Sequence, residues 1–147
     1  MEQMKYEMRL VYAILNGAIS DVLRKLFEKN FASYQVELSS DEWTVLNVLW
    51  HGEGATQMQL CNAILKDKPT MSKLLASMER KELVSRRNSI ADHRKKYVYL
   101  TQKSRNMREK CSFIANKTLK QALRGLNVEE LLTAQDVFRT ILNNSKT

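Results

Sequence analysis

The sequence predicts a mainly α-helical protein with a small β-hairpin wing, arranged as a winged helix-turn-helix between long N- and C-terminal helices. Three observations predict this fold. Apolar residues recur at spacings of three and four along most of the chain, which is the pattern of amphipathic helices. A proline separates two short helical segments in the middle of the chain, and two strand-like segments follow directly. The 147 residues are expected to form a single domain, residues 1–147.

Two helices are predicted before the proline-containing region. The first runs from Lys5 to Asn30 as one long helix, because its apolar stripe keeps helical spacing from Met4 to Leu26. The second begins in "LSSDEW", where Ser39 and Glu42 have the spacing of a capping box, and ends at the glycines of "HGEG". Its predicted buried face consists of Trp43, Leu46, Leu49 and Trp50.

A helix-turn-helix is predicted in the middle of the chain. "ATQMQLCNAIL" opens with a second capping-box match, Thr56 to Gln59. Pro69 then ends this helix and is well tolerated in the first turn of the next one, predicted over about 69–81. The apolar face of that next helix consists of Met71, Leu74, Leu75 and Met78. Its outer face is polar and basic, with Thr70, Ser72, Lys73, Ser77, Arg80 and Lys81, as expected for a recognition helix.

A basic β-hairpin follows and is interpreted as a wing. "LVSRR" and "RKKYVYLT" have strand composition, with Val98 and Leu100 alternating with two tyrosines, and "NSIAD" forms the turn. Five cations crowd this segment: Arg86, Arg87, Arg94, Lys95 and Lys96. From Gly54 to Lys103 there are 11 Lys and Arg against 4 Asp and Glu, a net of +7 out of the total of +8. Such concentration favours an anionic partner, namely nucleic acid.

Two more helices are predicted at the C-terminal end. One is capped by Thr101 and runs to Leu123 or Arg124, and Asn127 with Glu130 caps the last one after Gly125. The inward residues of the last helix are predicted to be Leu131, Ala134, Val137, Phe138 and Ile141. Because the apolar stripes of both ends exceed what a small module can cover, residues 1–34 and 104–147 are predicted to form a helical dimerisation region. Residues 54–103 are then the DNA-binding module.

Other classes of function are disfavoured by composition. No apolar run reaches the ~18 residues of a membrane span. Cys61 and Cys111 lie far apart without metal-ligand spacing, and His51 and His93 have no Cys or carboxylate neighbours at ligand spacing. We therefore expect no metal, no cofactor and a reducing cytoplasm. No phosphate-cradling glycine loop or nucleophile motif is found, so the protein is not expected to be an enzyme.

The segment "TQMQLCNAILKDKPTMSKLLASMERKELVSRRNSIADHRKKYVYLT" resembles the winged-helix core of the MarR (multiple antibiotic resistance regulator) family, and the flanking helices agree with it. The most specific elements are "TMSKLLASMERKELVSR" and the D-x-R of "ADHRKKYVYLT". The resemblance implies a bacterial or archaeal homodimeric transcription regulator, more often a repressor, that binds a pseudo-palindromic double-stranded operator and responds to a small aromatic ligand or an oxidant.

The resemblance also implies roles for individual residues. Arg94 looks like the wing-tip arginine that enters the minor groove, with Asp92 orienting it through an ion pair and Lys95 beside it. Thr70, Ser72 and Lys73 lie where the family reads base edges or grips phosphates in the major groove. Backbone contacts are expected from Lys68, Arg80 and Arg86. The chain departs from the family at Glu82 and Ser104, where glycine is usual.

Three alternatives remain open at this stage. Tyr12, Trp43 and Trp50 could line an effector pocket, although such aromatics are more often core residues. A thiol-based oxidant sensor would be switched at Cys61 or Cys111, yet both lie on helical stripes at core-like positions. A winged-helix module that binds an acidic protein is the third alternative, and the sharp sequence dependence of DNA binding would exclude it.

Overall fold

The computed structural model describes residues 8–146 and has the predicted class, mainly helical with one small sheet. Its helices are α1 (Met8–Leu15), α2 (Ala18–Ser33), α3 (Ser40–His51), α4 (Gln57–Ile64), α5 (Lys68–Arg80), α6 (Gln102–Asn106), α7 (Arg108–Ala122) and α8 (Val128–Asn144). The strands are β1 (Ala55–Thr56), β2 (Val84–Asn88) and β3 (Lys96–Leu100), in the antiparallel order β1-β3-β2. No helix of residues 8–146 is long and apolar enough to span a bilayer.

The predicted caps are confirmed. Reciprocal capping boxes begin α3 at Ser39, α4 at Thr56, α6 at Thr101 and α8 at Asn127. Each box satisfies two backbone N–H groups that a helix start would otherwise leave unpaired. Helix α5 begins at Lys68, with Asp67 as its N-cap and Pro69 in its first turn, so each of its bounds lies one residue before the predicted 69–81.

Two helices predicted as continuous are broken. The long N-terminal helix stops at Leu15 because Gly17 takes φ 70, a left-handed conformation through which an α-helix cannot continue. Met4, part of its predicted stripe, lies outside the described residues. The helix after Thr101 breaks at Met107, since the carbonyl of Ser104 accepts the Met107 N–H at 3.2 Å and the Trp50 indole N–H at 3.0 Å.

One core unites α2, α3, α4, α5, α7 and the sheet. The predicted inward faces are confirmed for α3, where Leu46, Leu49 and Trp50 are buried and Trp43 is half-buried. They are also confirmed for α5, with Met71, Leu75 and Met78 fully buried. Helix α8 differs, because none of its residues is buried within the single chain. Its predicted inward residues Val137, Phe138 and Ile141 are exposed.

Candidate nucleic-acid interface

Helix α5 is held firmly at both ends. The Asp67 side chain accepts the Thr70 N–H at 2.8 Å. Hydrogen bonds from the Thr70 side chain and, secondarily, from its backbone N–H hold the pKa of the Asp67 carboxyl below its usual value. At the other end, the Leu83 N–H bonds to the Met78 carbonyl at 2.9 Å and the Glu82 N–H to the Glu79 carbonyl at 2.9 Å, which is a Schellman motif. The helix therefore presents a defined outer face.

A buried carboxylate also anchors the C-terminal end of α5. Glu42, only 3% exposed, accepts the Ser39 N–H at 2.9 Å in its capping box. The same carboxylate forms an ion pair with Lys81 at 2.9 Å, and the Lys103 ammonium donates to the Lys81 carbonyl at 3.0 Å. The capping pattern identified Glu42 in the sequence, but nothing there indicated Lys81 as its partner, 39 positions away.

The outer face of α5 carries the predicted polar residues. Lys68, Thr70, Lys73 and Arg80 are exposed, and Ser72 is half-buried. All five follow the N-terminal cap on one 13-residue helix, whose diameter of ~10–12 Å matches the width of the DNA major groove.

The five cations of the hairpin separate into two groups. In the β2–β3 register Arg86 lies opposite Val98 and Arg87 opposite Tyr97, so the two arginines project to opposite faces of the sheet. Arg86 bonds to Glu79 of α5 at 2.6 Å and approaches the Ser72 hydroxyl at 3.5 Å. The Arg87 guanidinium lies over the Tyr99 ring, 4.7 Å from its centroid. Both arginines thus have partners within the chain.

Arg94, Lys95 and Lys96 form the second group. All three are exposed, and none forms an ion pair with another residue between 8 and 146. The Asp92–Arg94 ion pair that the family resemblance implies does not form among residues 8–146. Asp92 instead accepts the backbone N–H of Arg94 on its side chain at 3.0 Å and that of Lys95 on its carbonyl at 3.0 Å. It orders the wing through the backbone, because a short Asp side chain readily bonds an N–H two residues on.

A basic cleft of about 820 Å³ lies between the wing and the helix-turn-helix. Three structural units line it: the start of α4, the start of α5 and the wing. The cations on its wall are Lys68, Arg94, Lys95 and Lys96. The cleft was not predicted from the sequence, because it requires β1 to pair with β3 and so bring the wing beside α4.

The three aromatics predicted as an effector pocket are not brought together. Tyr12 lies exposed on α1, whereas Trp43 stacks on Phe27 with ring centroids 5.0 Å apart. Trp50 is buried and lines a different, smaller cleft of about 360 Å³.

The cysteines are both buried. Burial raises the pKa of the Cys111 thiol to about 11, so the group stays protonated at neutral pH and unreactive toward oxidants. Cys61 is buried at the wall of the basic cleft. No cluster of three or more potential metal-ligating side chains occurs within the described part of the chain.

Comparison with known proteins agrees with this geometry. Residues 36–95, which contain α3, both helices of the helix-turn-helix and most of the wing, match the model of the MarR family. This match confirms the family resemblance of the sequence over the winged-helix segment, residues 36–95.

Similarity to individual proteins extends beyond the matched segment. The transcriptional regulator HosA of Escherichia coli is 28% identical over 124 residues, which cover 82% of this chain and 92% of HosA. Two solved structures show the same fold. The DNA complex of MepR from S. aureus has a TM-score of 0.76 at 23% identity, covering 90% of this chain and 96% of MepR. Bordetella bronchiseptica BpsR, whose DNA binding is regulated by 6-hydroxynicotinic acid, has a TM-score of 0.79 at 19% identity, covering 95% and 97%.

Proposed function

We propose that this protein is a MarR-family transcription regulator, a homodimeric, sequence-specific repressor that uses α5 and the wing on one DNA duplex. Helix α5 enters the major groove, and Arg94 enters the flanking minor groove. The observation that carries this proposal is the basic cleft, because Lys68 of α5 and the three unpaired wing cations line the same depression. Repulsion among these cations is relieved when a phosphate backbone lies between them.

Residue roles follow from the contacts of each side chain. Thr70, Ser72 and Lys73 occupy the early turns of α5, where base edges are read, and Lys68, Arg80 and Lys95 grip phosphates. Arg94 suits a narrow A·T-rich minor groove because a guanidinium is weakly hydrated and the potential there is strongly negative.

Arg86 is better assigned to positioning than to a phosphate contact. Its side chain is only 18% exposed, and its charge is already balanced by Glu79. The Glu79–Arg86 pair joins the recognition helix to the first strand of the wing, so it sets the angle between the two elements that read DNA. Asp92 acts similarly, by ordering the backbone that carries Arg94.

The dimer is supported by apolar surface that the single chain leaves uncovered. Exposed large apolar side chains concentrate at the two ends of the chain: Met8, Tyr12, Ile14, Leu15, Ile19 and Val22 in α1 and α2, and Leu132, Val137, Phe138, Ile141 and Leu142 in α8. Large apolar side chains left exposed in this number are typical of an interface. A two-fold dimer requires a pseudo-palindromic operator with half-sites ~34–36 Å apart.

We further propose that a small aromatic effector releases the repressor. Support comes from BpsR, which has this fold and whose DNA binding is regulated by 6-hydroxynicotinic acid. An effector shifts the equilibrium only if it binds more tightly to a dimer whose recognition helices are wrongly spaced for DNA. Tyr12 and Trp43 remain pocket candidates in the dimer, where a second chain would contribute to their surroundings.

Fluorescence anisotropy on DNA from upstream of the protein's own gene, against scrambled DNA, tests the proposal. The wild type should bind the upstream fragment specifically at physiological salt. Arg94→Ala should weaken binding about tenfold and reduce the preference for A·T beside the half-site. Arg124→Ala is the matched control, because it removes the same charge from the exposed turn after α7. Equal binding of both fragments that vanishes with salt would overturn the proposal, as would an unchanged affinity of the Arg94 variant.

A further inference from the structure

The tip of the wing carries an apolar side chain that the fold does not use. Ile90 is 98% exposed, so it contributes nothing to the core. It lies two residues after the end of β2, in the turn that leads to β3, where glycine, asparagine, aspartate and serine are the usual residues. An aliphatic residue at such a position gains stability neither from packing nor from turn chemistry.

The turn that carries Ile90 is small and internally tied. The Ser89 N–H bonds to the Lys95 carbonyl at 2.8 Å and closes the loop. Inside it, the Asp92 N–H donates to the Ser89 hydroxyl at 3.3 Å, and Asp92 accepts the N–H groups of Arg94 and Lys95. Ile90 and Arg94 therefore belong to one compact tip of five residues, held by four hydrogen bonds.

We propose that Ile90 is a second minor-groove contact, packing its aliphatic side chain against the deoxyribose walls beside Arg94. The inference rests on the proposed function, since it requires the wing to meet DNA. A tied tip of this size brings Ile90 to the duplex whenever Arg94 enters the groove. The minor groove is ~6 Å wide and is lined by sugar CH groups, which offer an aliphatic side chain an apolar surface. This contact expels water from the isoleucine side chain and from the sugar CH groups, and it neutralises no phosphate charge.

This contact has a signature different from that of the wing cations. A lost phosphate contact lowers the salt dependence of the binding constant by about one ion per contact. A lost apolar contact lowers affinity and leaves that slope unchanged. Partial burial of one isoleucine side chain corresponds to about fivefold in affinity.

Ile90→Ser and Ile90→Leu, measured by anisotropy over a salt series on the bound fragment, test the inference. Ile90→Ser should weaken binding about fivefold at an unchanged slope, and Ile90→Leu should retain wild-type affinity. Ala91→Ser is the matched control, since it adds a hydroxyl to the neighbouring exposed position of the same tip. Hydroxyl-radical footprinting should show that sugars at the edge of the half-site lose protection only with Ile90→Ser.

The outcomes separate this inference from the proposed function. If the wild type binds specifically and Ile90→Ser matches it in affinity and footprint, the Ile90 contact is refuted and the regulator stands. A change in salt slope for Ile90→Ser would also refute it, because the effect would then be electrostatic. If the wild type shows no specific binding, the proposed function itself fails.

Discussion

Replacing Glu82 by glycine is expected to stabilise the protein. Glu82 lies just after the C-cap of α5 at φ 60, in the left-handed region, which disfavours any residue with a Cβ by about 1–2 kcal/mol. Glycine relieves this strain but loses about 0.5–1 kcal/mol through the greater freedom of the unfolded chain. The net gain is then about 0.5–1 kcal/mol, which for a chain of this size raises Tm by about 1–4 °C. Glycine is also usual at this position in the MarR family, which the sequence resembles.

The gain is not offset by lost contacts. The Glu82 side chain is exposed and forms no ion pair among residues 8–146. The Glu82 carbonyl accepts the Thr101 hydroxyl at 2.7 Å, and glycine preserves that bond because the backbone makes it. The Schellman hydrogen bonds at the end of α5 are likewise made by the backbone.

Urea unfolding at one fixed protomer concentration measures the effect, with the midpoint expected to rise at an unchanged m-value. Glu82→Ala is the decisive control, because alanine removes the charge and keeps the strain. Gln35→Gly, at φ 58 at the end of α2, should show a similar gain away from the DNA-binding surface. If Glu82→Gly is no more stable than Glu82→Ala, left-handed strain at this position is refuted as the cause.

Three further outcomes are expected. Asp67→Ala should lower Tm by removing the cap of α5. The difference from wild type should begin to shrink as pH falls below about 4 and should be lost as pH falls through the lowered pKa of Asp67, because this carboxyl gives its extra stabilisation only while it is ionised. A difference that does not shrink with falling pH would contradict the charged cap. Cys111, with its pKa raised to about 11, should resist alkylation at pH 8 in the native protein and react quickly in urea, as measured by mass spectrometry of the labelled thiol. Cys111→Ser should leave any effect of peroxide on DNA binding unchanged. Phe138→Glu should convert the proposed dimer to monomer in sedimentation and weaken operator binding, because it places a charge in the exposed apolar stripe of α8. Gln135→Glu on the same helix should do neither. A dimer that survives Phe138→Glu would place the interface elsewhere.

Local rules account for what was predictable in the fold. A capping box spans four residues, and a proline restricts only its own turn, so the starts of α3, α4, α5 and α8 could be predicted within a residue. The same holds for the wing, where the buried Val98 and Leu100 alternate with half-buried tyrosines as strand geometry requires. Even the inward projection of Arg86 follows from this alternation, since Val84 and Arg86 share a face. A count of charge alone groups Arg86 with the other cations, because such a count ignores which face of the strand each residue occupies.

The remaining features depend on residues far apart in the chain. The break at Gly17 was missed because the apolar stripe continues across it, and periodicity does not reveal a left-handed residue. Strand β1 has only two residues and exists because β3 offers it unpaired backbone groups. The Asp92–Arg94 ion pair, inferred from the family, is replaced by a backbone contact that depends on how the turn folds.

The sequence by itself therefore determined the class of the protein: a helical chain, a helix-turn-helix with a basic wing, and positive charge concentrated between Gly54 and Lys103. These are properties of short segments and of composition, which local sterics and helix capping control. Only the tertiary structure decided which cations are free. Arg86 and Arg87 find partners in Glu79 and Tyr99, whereas Arg94, Lys95 and Lys96 remain on the cleft. Charge alone cannot separate the two groups, because a charge becomes available for DNA only when packing leaves it without a partner in its own chain.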